Sequence, residues 1–226
     1  MRMYMKMNEL HFIKILSKGV KNKKDWHFEK NILKKYKTLV SIDEAGRGAL
    51  AGPLSLGAIF LDKTSLKILE KNKIFFFDSK ELSEKKKEFF LKIIKKIGIP
   101  YKKVFISNKK IDKLGMGKAY LSGIEKIRNF FNPEILILDG KENKNIKKAI
   151  FIVKGDKKLN SLGGASIIAK VYRDKFMKKL AKKISFYNWE INKGYGTKEH
   201  LEAIKKIGPS VYHRKSFLKK ILGQKW

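Results

Sequence analysis

The sequence predicts an α/β fold, in which a central mixed β-sheet is flanked by helices and followed by a small C-terminal helical extension. Short apolar and β-branched runs alternate with amphipathic segments that are long enough for helices. Two of these runs, residues 135–138 and 149–153, are unbroken and apolar, as is typical of strands covered on both faces. After residue 186 only short helical segments remain, separated by glycines. The 226 residues suffice for one well-buried domain with a small appendage.

The chain divides into three predicted parts. Residues 1–37 carry apolar positions at helical spacing between lysines, which predicts a helical or flexible leader. Residues 38–184 form the predicted α/β core, and residues 185–226 form the helical extension. The core starts with a strand over residues 36–42, because this run is apolar and β-branched. A glycine-rich loop follows, and residues 53–61 return as the second strand of a hairpin.

The remaining elements follow from the same two patterns, alternation for strands and helical spacing for helices. The predicted strands after the hairpin are residues 101–107, 134–139 and 149–153. The predicted helices are residues 63–71, 84–96 with Ser83 as N-cap, 116–131, a long helix preceded by Gly163 and Gly164, a helix through Ile207 with Thr197 as N-cap, and a short last helix ending at Gly223.

The chain is strongly basic, with 54 Lys and Arg against 21 Asp and Glu, a net charge of +33. Such a charge favours a polyanionic partner, nucleic acid or an anionic membrane surface. The excess is mostly lysine and accompanies abundant Ile, Asn and Phe, which an AT-rich genome also over-produces, so charge alone does not establish binding. There is no cysteine, which excludes disulfides and thiolate zinc sites. Without an apolar run of roughly 18 to 20 residues or an export signal, we expect a cytoplasmic protein. We also expect it to be a monomer.

Residues 41–53, SIDEAGRGALAGP, combine three kinds of group that act on phosphate esters. Asp43 and Glu44 can hold a cation at the end of the first strand. Gly46 and Gly48 expose the backbone, and Arg47 between them offers a planar fork for phosphate or sugar oxygens. The segment therefore predicts a metal-dependent site, although an Asp–Glu pair at a strand end is by itself as typical of a solvated turn.

Two further acids strengthen this prediction. Asp139 ends the strand over residues 134–139, and Asp156 follows the strand over residues 149–153. The ends of neighbouring central strands meet in a crevice, so these carboxylates are expected to converge with Asp43. Ser166, Lys170 and Arg173 then share one face near the start of the long helix, which suits either a phosphate-holding face or a solvated basic one.

Several motifs together resemble a known family, ribonuclease HII, the type 2 ribonuclease H. They are SIDEAGRGALAGP, DSKELS, LDG, KGD, ASIIAKVYRD, GYGT and HRKSF, in the family's order and approximate spacing over residues 36–218. The resemblance implies a ribonuclease H-like fold and hydrolysis of the RNA strand in RNA–DNA hybrids. It also implies nicking on the 5′ side of single ribonucleotides in duplex DNA, leaving 5′-phosphate and 3′-hydroxyl ends, with two Mg²⁺ or Mn²⁺ ions per site. In this family a sliding clamp sometimes binds a C-terminal peptide, here ILGQKW.

The resemblance also assigns roles to individual residues. The catalytic and metal-binding residues would be Asp43, Glu44, Asp139 and Asp156. The backbone of Gly46, Arg47 and Gly48 would read the ribose 2′-OH, and Tyr195 would stack on the next sugar. Backbone phosphates would be held by Ser79, Lys80, Ser166, Lys170 and Arg173. Adjacent residues of an ideal strand point to opposite faces, so Asp43 and Glu44 share a metal site only if the strand bulges or ends there, or if Glu44 acts through its main chain.

Two alternatives stay open at the level of sequence. A non-catalytic, strongly basic nucleic-acid-binding protein would use the charge and need no acid cluster. His200 and His213, in the extension, stand beside basic residues and are more typical of a structural or phosphate-contacting role than of a general base.

Overall fold

One mixed sheet forms the centre of the molecule. The computed structural model describes residues 25–77 and 79–223, so most of the predicted leader and the end of ILGQKW lie outside the described residues. Its strands are β1 (Thr38–Ala45), β2 (Leu54–Asp62), β3 (Tyr101–Ile106), β4 (Ile135–Asp139) and β5 (Ala149–Ile152). Their order is β3-β2-β1-β4-β5; β2 runs antiparallel to β1 and β3, whereas β1, β4 and β5 are parallel. The predicted α/β fold with a central mixed sheet is confirmed.

Helices cover the sheet and form the extension. They are α1 (His27–Lys35), α2 (Lys63–Lys71), α3 (Glu84–Lys96), α4 (Asn108–Phe131), α5 (Gly155–Lys158), α6 (Asn160–Ala181), α7 (Trp189–Asn192), α8 (Lys198–Ile207) and α9 (Lys215–Leu222). The two predicted N-caps are present: Ser83 accepts a hydrogen bond from the Lys86 amide, and Thr197 accepts one from the His200 amide. Among the residues that the structure describes, no helix is both long and apolar enough to cross a membrane.

One predicted boundary is wrong, and two other segments extend beyond the prediction. Helix α4 consists of two helical segments that meet at Gly115, where φ is +77°. The second segment covers the predicted residues 116–131, whereas the first, which starts at Asn108 with Ser107 as its cap, was not predicted. Helix α6 starts at Asn160, so Gly164 lies inside it and lets the Ile59 side chain pack 2.3 Å from where a Cβ would stand. The end of the predicted leader belongs to the core, since Trp26 is buried and its Nε1 donates to the carbonyl of Ile74.

The two faces of the sheet carry separate hydrophobic clusters, and β1 contributes alternately to both. Leu39 packs with residues of α3 and α6 on one face, whereas Val40 and Ile42 pack with residues of α4 on the other. By the same alternation, Asp43 lies on the α6 side and Glu44 on the α4 side of the sheet. The end of β1 therefore presents one carboxylate to each layer.

The extension is bound to the loop between β1 and β2. The amides of Leu50 and Ala51 both donate to the carbonyl of Gly194, at 2.8 and 3.2 Å. The amide of Gly52 donates to the Tyr212 carbonyl at 2.9 Å, and a third hydrophobic cluster includes Leu50 and Trp189. The backbone of the loop is thus fixed from the C-terminal side.

Candidate active site

A cavity of about 550 Å³ opens at the end of β1. All residues predicted to bind metal or substrate line it except Arg173, and Ala45 and Lys87 line it in addition. The lining residues are Asp43, Glu44, Ala45, Gly46, Arg47, Gly48, Ser79, Lys80, Lys87, Asp139, Asp156, Ser166, Lys170 and Tyr195. The fold thus brings together residues that are up to 152 positions apart, from Asp43 to Tyr195.

Asp43 and Glu44 reach the same cavity without a bulge in the strand. Both remain in register with β2, where Asp43 pairs with Gly57 and Glu44 with Leu56. The parallel pairing of β1 with β4 stops one residue earlier, at Ile42. Side chains on opposite faces of β1 can therefore both border the space beyond the end of β4. The structure thus differs from the geometries expected from the sequence: β1 continues to Ala45 without a bulge, but it loses its neighbour β4 at this point.

Each of the four acids has a hydrogen-bond donor or a cation as its partner at the cavity. The Gly155 amide donates to Asp139 Oδ1 at 2.8 Å, and Lys80 Nζ lies 3.3 Å from Asp156 Oδ2. Arg47 Nη1 lies 3.2 Å from Glu44 Oε1. Asp43 accepts a hydrogen bond from the amide of Glu44 through its Oδ1. The acids are thus held at the cavity wall by amides and by two flexible cations.

Burial makes the negative charges of β1 costly. Burial and the neighbouring Glu44 carboxylate together raise the pKa of Asp43 to about 8, although a hydrogen bond from Ser166 lowers it. The pKa of Glu44 is also raised by burial, although Arg47 lowers it. Clustered carboxylates whose charge is this unfavourable are typical of sites that bind a cation.

The donor set fits hard divalent cations. All four acids offer carboxylate oxygens, the ligands that Mg²⁺ and Mn²⁺ prefer, and a bound cation would offset the cost of ionising Asp43. Within the described ranges no three acidic or histidine side chains already stand together as a ligand group. Cation binding therefore requires carboxylates to exchange present partners such as Lys80 and Arg47 for the metal.

The glycine loop packs against α6 at one point and is open at another. Gly46 has φ of +87°, and a Cβ there would lie 1.9 Å from Nε of Arg173, so only glycine fits. A Cβ at Gly48 would meet no atom within 4 Å. The side chain of Arg47 between them is 56% exposed and lies over the Tyr120 ring at 5.3 Å. The backbone at Gly48 is therefore accessible from the cavity.

The opposite wall of the cavity is basic and polar. Ser79 and Ser166 share a hydrogen bond of 2.8 Å between their hydroxyls, and Lys170 Nζ contacts Asp174 at 2.9 Å. Lys87 was not predicted to line the cavity, but its spacing in α3 indicates that it lies on the buried face of the helix. It precedes Phe90 and Leu91 by three and four residues, so a lysine occupies the buried stripe of α3.

The predicted phosphate contact of Arg173 is wrong. The residue is fully buried and does not line the cavity. Its three nitrogens donate to backbone carbonyls: Nε to Pro53 at 3.1 Å, Nη1 to Lys193 at 2.9 Å and Nη2 to Ala51 at 3.2 Å. The spacing correctly placed it on the face of Ser166 and Lys170, but the loop and the extension cover that end of the face.

His200 and His213 form a buried pair in the extension. His200 Nδ1 donates to the Tyr195 carbonyl at 2.8 Å, so its Nε2 is free to accept from Trp189 Nε1 at 3.0 Å. The Nε2 atoms of the two histidines lie 3.1 Å apart, and His213 Nδ1 accepts from the Ser210 amide. Both rings are therefore neutral and structural, and they connect α8 to the segments on either side of it.

Acid should destabilise the protein through this pair. Burial lowers the pKa of His213 to about 4 and lowers that of His200 as well. A depressed pKa contributes stability that is complete above the unfolded value of about 6.5 and is lost as the pH falls. For His213 this loss is about 2 kcal/mol at pH 5 and about 3 kcal/mol below pH 4. Denaturant unfolding at pH 7 and pH 5 measures this loss. It should shrink in His213→Gln but not in His27→Gln, which changes an exposed histidine; equal losses in all three proteins would contradict the assignment.

These features define a class of protein, the nucleases of the ribonuclease H fold. They are a mixed sheet with acids at the ends of adjacent central strands, an exposed glycine backbone and a basic cavity wall. The family model for ribonuclease HII matches residues 40–220. The chain therefore belongs to the ribonuclease HII family, whose members are metal-dependent endoribonucleases that act on RNA–DNA hybrids. Membership decides in favour of the enzyme over the non-catalytic binding protein.

Individual proteins agree with the family. The chain is 43% identical over 190 residues to the ribonuclease HII of Clostridium botulinum (strain Loch Maree / Type A3), covering 81% of this chain and 69% of the relative. The structure resembles that of ribonuclease HII in the PCNA:RNase HII complex from Archaeoglobus fulgidus, with a TM-score of 0.64, 23% identity, and coverage of 78% of this chain and 93% of the other. It also resembles Bst-RNase HIII in complex with Mn²⁺, with a TM-score of 0.60, 19% identity, and coverage of 82% and 69%. The two structural likenesses show the fold.

Proposed function

We propose that the protein nicks duplex DNA on the 5′ side of single embedded ribonucleotides, besides cleaving the RNA strand of longer hybrids. The products carry 5′-phosphate and 3′-hydroxyl ends. The observation that carries the proposal is one cavity that combines four acids, the open backbone at Gly48 and the ring of Tyr195. The acids suit the reaction, and the backbone and ring suit the recognition of a single sugar.

Asp43, Glu44, Asp139 and Asp156 are the proposed ligands of two divalent cations. Such cations, when bound, lower the pKa of an attacking water and stabilise the leaving 3′-oxygen. The chain's own contribution is to place the four carboxylates around one space and to exclude bulk water on the side of α6. Mg²⁺ and Mn²⁺ are the proposed ions; the Mn²⁺ complex of Bst-RNase HIII is consistent with this choice.

The remaining cavity residues orient the substrate. The 2′-OH is the only group that separates a ribonucleotide from a deoxynucleotide locally, and it both donates and accepts hydrogen bonds. The backbone of Gly46, Arg47 and Gly48 is the proposed reader of this hydroxyl. Ser79, Lys80, Ser166 and Lys170 are the proposed phosphate contacts, because they form the basic and polar wall.

Cleavage of a labelled DNA duplex that contains one ribonucleotide tests the proposal. With Mg²⁺ or Mn²⁺ we expect a nick on the 5′ side of the ribonucleotide, and without either ion no cleavage. An all-DNA duplex of the same sequence is the control substrate and should stay intact. Cleavage of long hybrids without a nick at the single ribonucleotide would overturn the proposal and leave the family activity in place.

Tyr195→Ala should distinguish the two substrates. The ring is 37% exposed at the cavity and lies near the cations of Arg173 and Lys170, at 5.2 and 6.0 Å, so it is held where a sugar can stack. A duplex with a single ribonucleotide can be bound productively at one position only, whereas a long hybrid can be bound and cleaved at many positions. We therefore expect kcat/KM to fall more for the single ribonucleotide, with Tyr195→Phe close to the wild type. An equal fall on both substrates would show that the ring does not read the junction.

A sliding clamp is the proposed protein partner. The ribonuclease HII of Archaeoglobus fulgidus forms a complex with PCNA, and the C-terminal ILGQKW of this chain is the segment proposed to bind a clamp. Deletion of residues 221–226 should abolish clamp-stimulated cleavage while leaving cleavage without the clamp unchanged. Stimulation that survives the deletion would place the contact elsewhere.

A further inference from the structure

Two arginines are buried beside the glycine loop, and neither forms an ion pair with a described acidic residue. Arg173 on α6 and Arg214 before α9 are both fully buried, and none of the ion pairs among residues 25–77 and 79–223 involves either of them. Buried charges are costly and are normally paired with an opposite charge. Burial and mutual repulsion lower the pKa of Arg214 to about 9. The free energy cost of burying these two charges beside the cavity indicates that they have a function there.

Both guanidinium groups bind carbonyl oxygens of the same loop. Arg173 takes those of Ala51 and Pro53, as described above. Arg214 takes two more, with Nε donating to Gly52 at 3.1 Å and Nη1 donating to Arg47 at 2.9 Å. Four carbonyls between Arg47 and Pro53 are therefore turned inward, toward two fixed cations.

The contact to the Arg47 carbonyl fixes the orientation of the next amide. In a trans peptide the C=O of one residue and the N–H of the next point in opposite directions. The Arg47 carbonyl points at the buried Arg214, so the Gly48 N–H points away from it. No described residue accepts a hydrogen bond from this amide, and Gly48 borders both the cavity and open space. The free donor thus faces the side from which substrate must come.

Arg173 connects the same loop to Tyr195. Its Nη1 donates to the carbonyl of Lys193, two residues before the tyrosine, and its guanidinium lies 5.2 Å from the centre of the Tyr195 ring. One side chain therefore binds both the end of the glycine loop and the segment of the extension that carries the ring. The distance between the glycine loop and the Tyr195 ring, which are proposed to contact the substrate sugars, therefore depends on Arg173.

We infer that Arg214 and Arg173 are positioning residues for ribose recognition: Arg214 orients the Arg47–Gly48 peptide so that the Gly48 amide donates to the ribose 2′-oxygen, and Arg173 sets the distance from this amide to Tyr195. The inference rests on the proposed function, because it concerns the same cavity. It adds that the selectivity for a ribonucleotide is fixed by two buried cations that never touch the substrate.

The test compares Arg214→Lys with the wild type on two duplexes. One carries a single ribonucleotide, and the other carries a 2′-O-methyl nucleotide at the same position, which blocks close approach to the 2′-oxygen. Lysine keeps the charge, but one ammonium cannot serve both Gly52 and Arg47 in the geometry of a guanidinium. We expect the ratio of kcat/KM for the two duplexes to fall at least about 5-fold, the effect of one backbone hydrogen bond. The Kd for the ribonucleotide duplex in Ca²⁺ should change far less.

Leu180→Ala is the matched control, because Leu180 is buried on α6 but its apolar side chain has no donor for a carbonyl of the loop. It should lower stability and leave the substrate ratio at the wild-type value. If the ratio of Arg214→Lys also stays at that value, the inference is overturned while the proposed function stands. If the wild type fails to cleave the ribonucleotide duplex, the proposed function itself fails.

A measurement on the wild type guards against variants that do not fold. In the complex with the ribonucleotide duplex in Ca²⁺, the amide resonance of Gly48 should move downfield relative to the complex with the all-DNA duplex. An unchanged resonance would overturn the inference, whatever the variants do. Arg173→Lys serves as the second variant, and it should lower the substrate ratio as Arg214→Lys does.

Discussion

Asp43→Asn should lower the rate of hybrid cleavage by at least about 100-fold, while hybrid binding stays nearly unchanged. Even the loss of a hydrogen-bond partner of a metal ligand costs about 10- to 100-fold, and Asp43 is a proposed ligand itself. The amide keeps the shape of the side chain but removes the charge that a divalent cation needs. Binding depends mainly on contacts between phosphates and cations, which the substitution leaves in place.

The same variant makes a prediction about stability that separates ligand loss from misfolding. The wild type pays for a buried carboxyl whose pKa is raised to about 8, so Asp43→Asn should unfold at higher denaturant than the metal-free wild type. Added Mg²⁺ or Mn²⁺ should raise the Tm of the wild type and have a smaller effect on the variant. Glu202→Gln, the same charge change at an exposed position of α8, should cleave as the wild type does. Parallel losses of binding and cleavage in Asp43→Asn would contradict the assignment.

The sequence predicts those features of the fold that depend on neighbours in the chain. Ser83 and Thr197 cap helices where expected, because a side-chain oxygen three residues before a free amide is a local arrangement. The acids also converge as expected, since a parallel sheet brings the ends of adjacent strands to one edge. Alternation along β1 correctly raised the problem of Asp43 and Glu44 pointing to opposite faces, but it could not show where the pairing with β4 would stop.

What the sequence does not predict depends on contacts between distant segments. The helical spacing of Arg173 indicates its face, but not that the carbonyls of Ala51, Pro53 and Lys193 would cover it. The two histidines of the extension give no local signal of a pair, because they meet only when α8 folds back on the segment before α9. In each case the partner is a backbone atom or a ring brought there by the tertiary structure. From the sequence alone, a polar side chain that binds a distant backbone atom is therefore easily mistaken for a residue that binds a ligand.

Gly57→Ala should destabilise the protein by about 3 kcal/mol or more, the upper range for overpacking a rigid core. A Cβ at Gly57 would lie 2.2 Å from the Ala165 carbonyl oxygen and 2.4 Å from the Ala169 amide nitrogen. Both are backbone atoms of α6, which cannot rotate away as a side chain could. Urea unfolding measures the change. Gly117→Ala is the control, because a Cβ there meets no atom within 4 Å, and it should be neutral or stabilising by up to about 1 kcal/mol.

The close approach of α6 at Gly57 also determines the geometry of the active site. Gly57 is the partner of Asp43 in the β1–β2 register, and Ser166, next to Ala165, donates a hydrogen bond to Asp43. An alanine at position 57 must push α6 away from the sheet, so Ser166 withdraws from the carboxylate and the basic wall moves with it. Folded Gly57→Ala protein should therefore show a higher KM for the hybrid and a weaker dependence of Tm on Mg²⁺ than Gly117→Ala. Wild-type values of both quantities, in a protein that is clearly destabilised, would show that the position of α6 does not control the site.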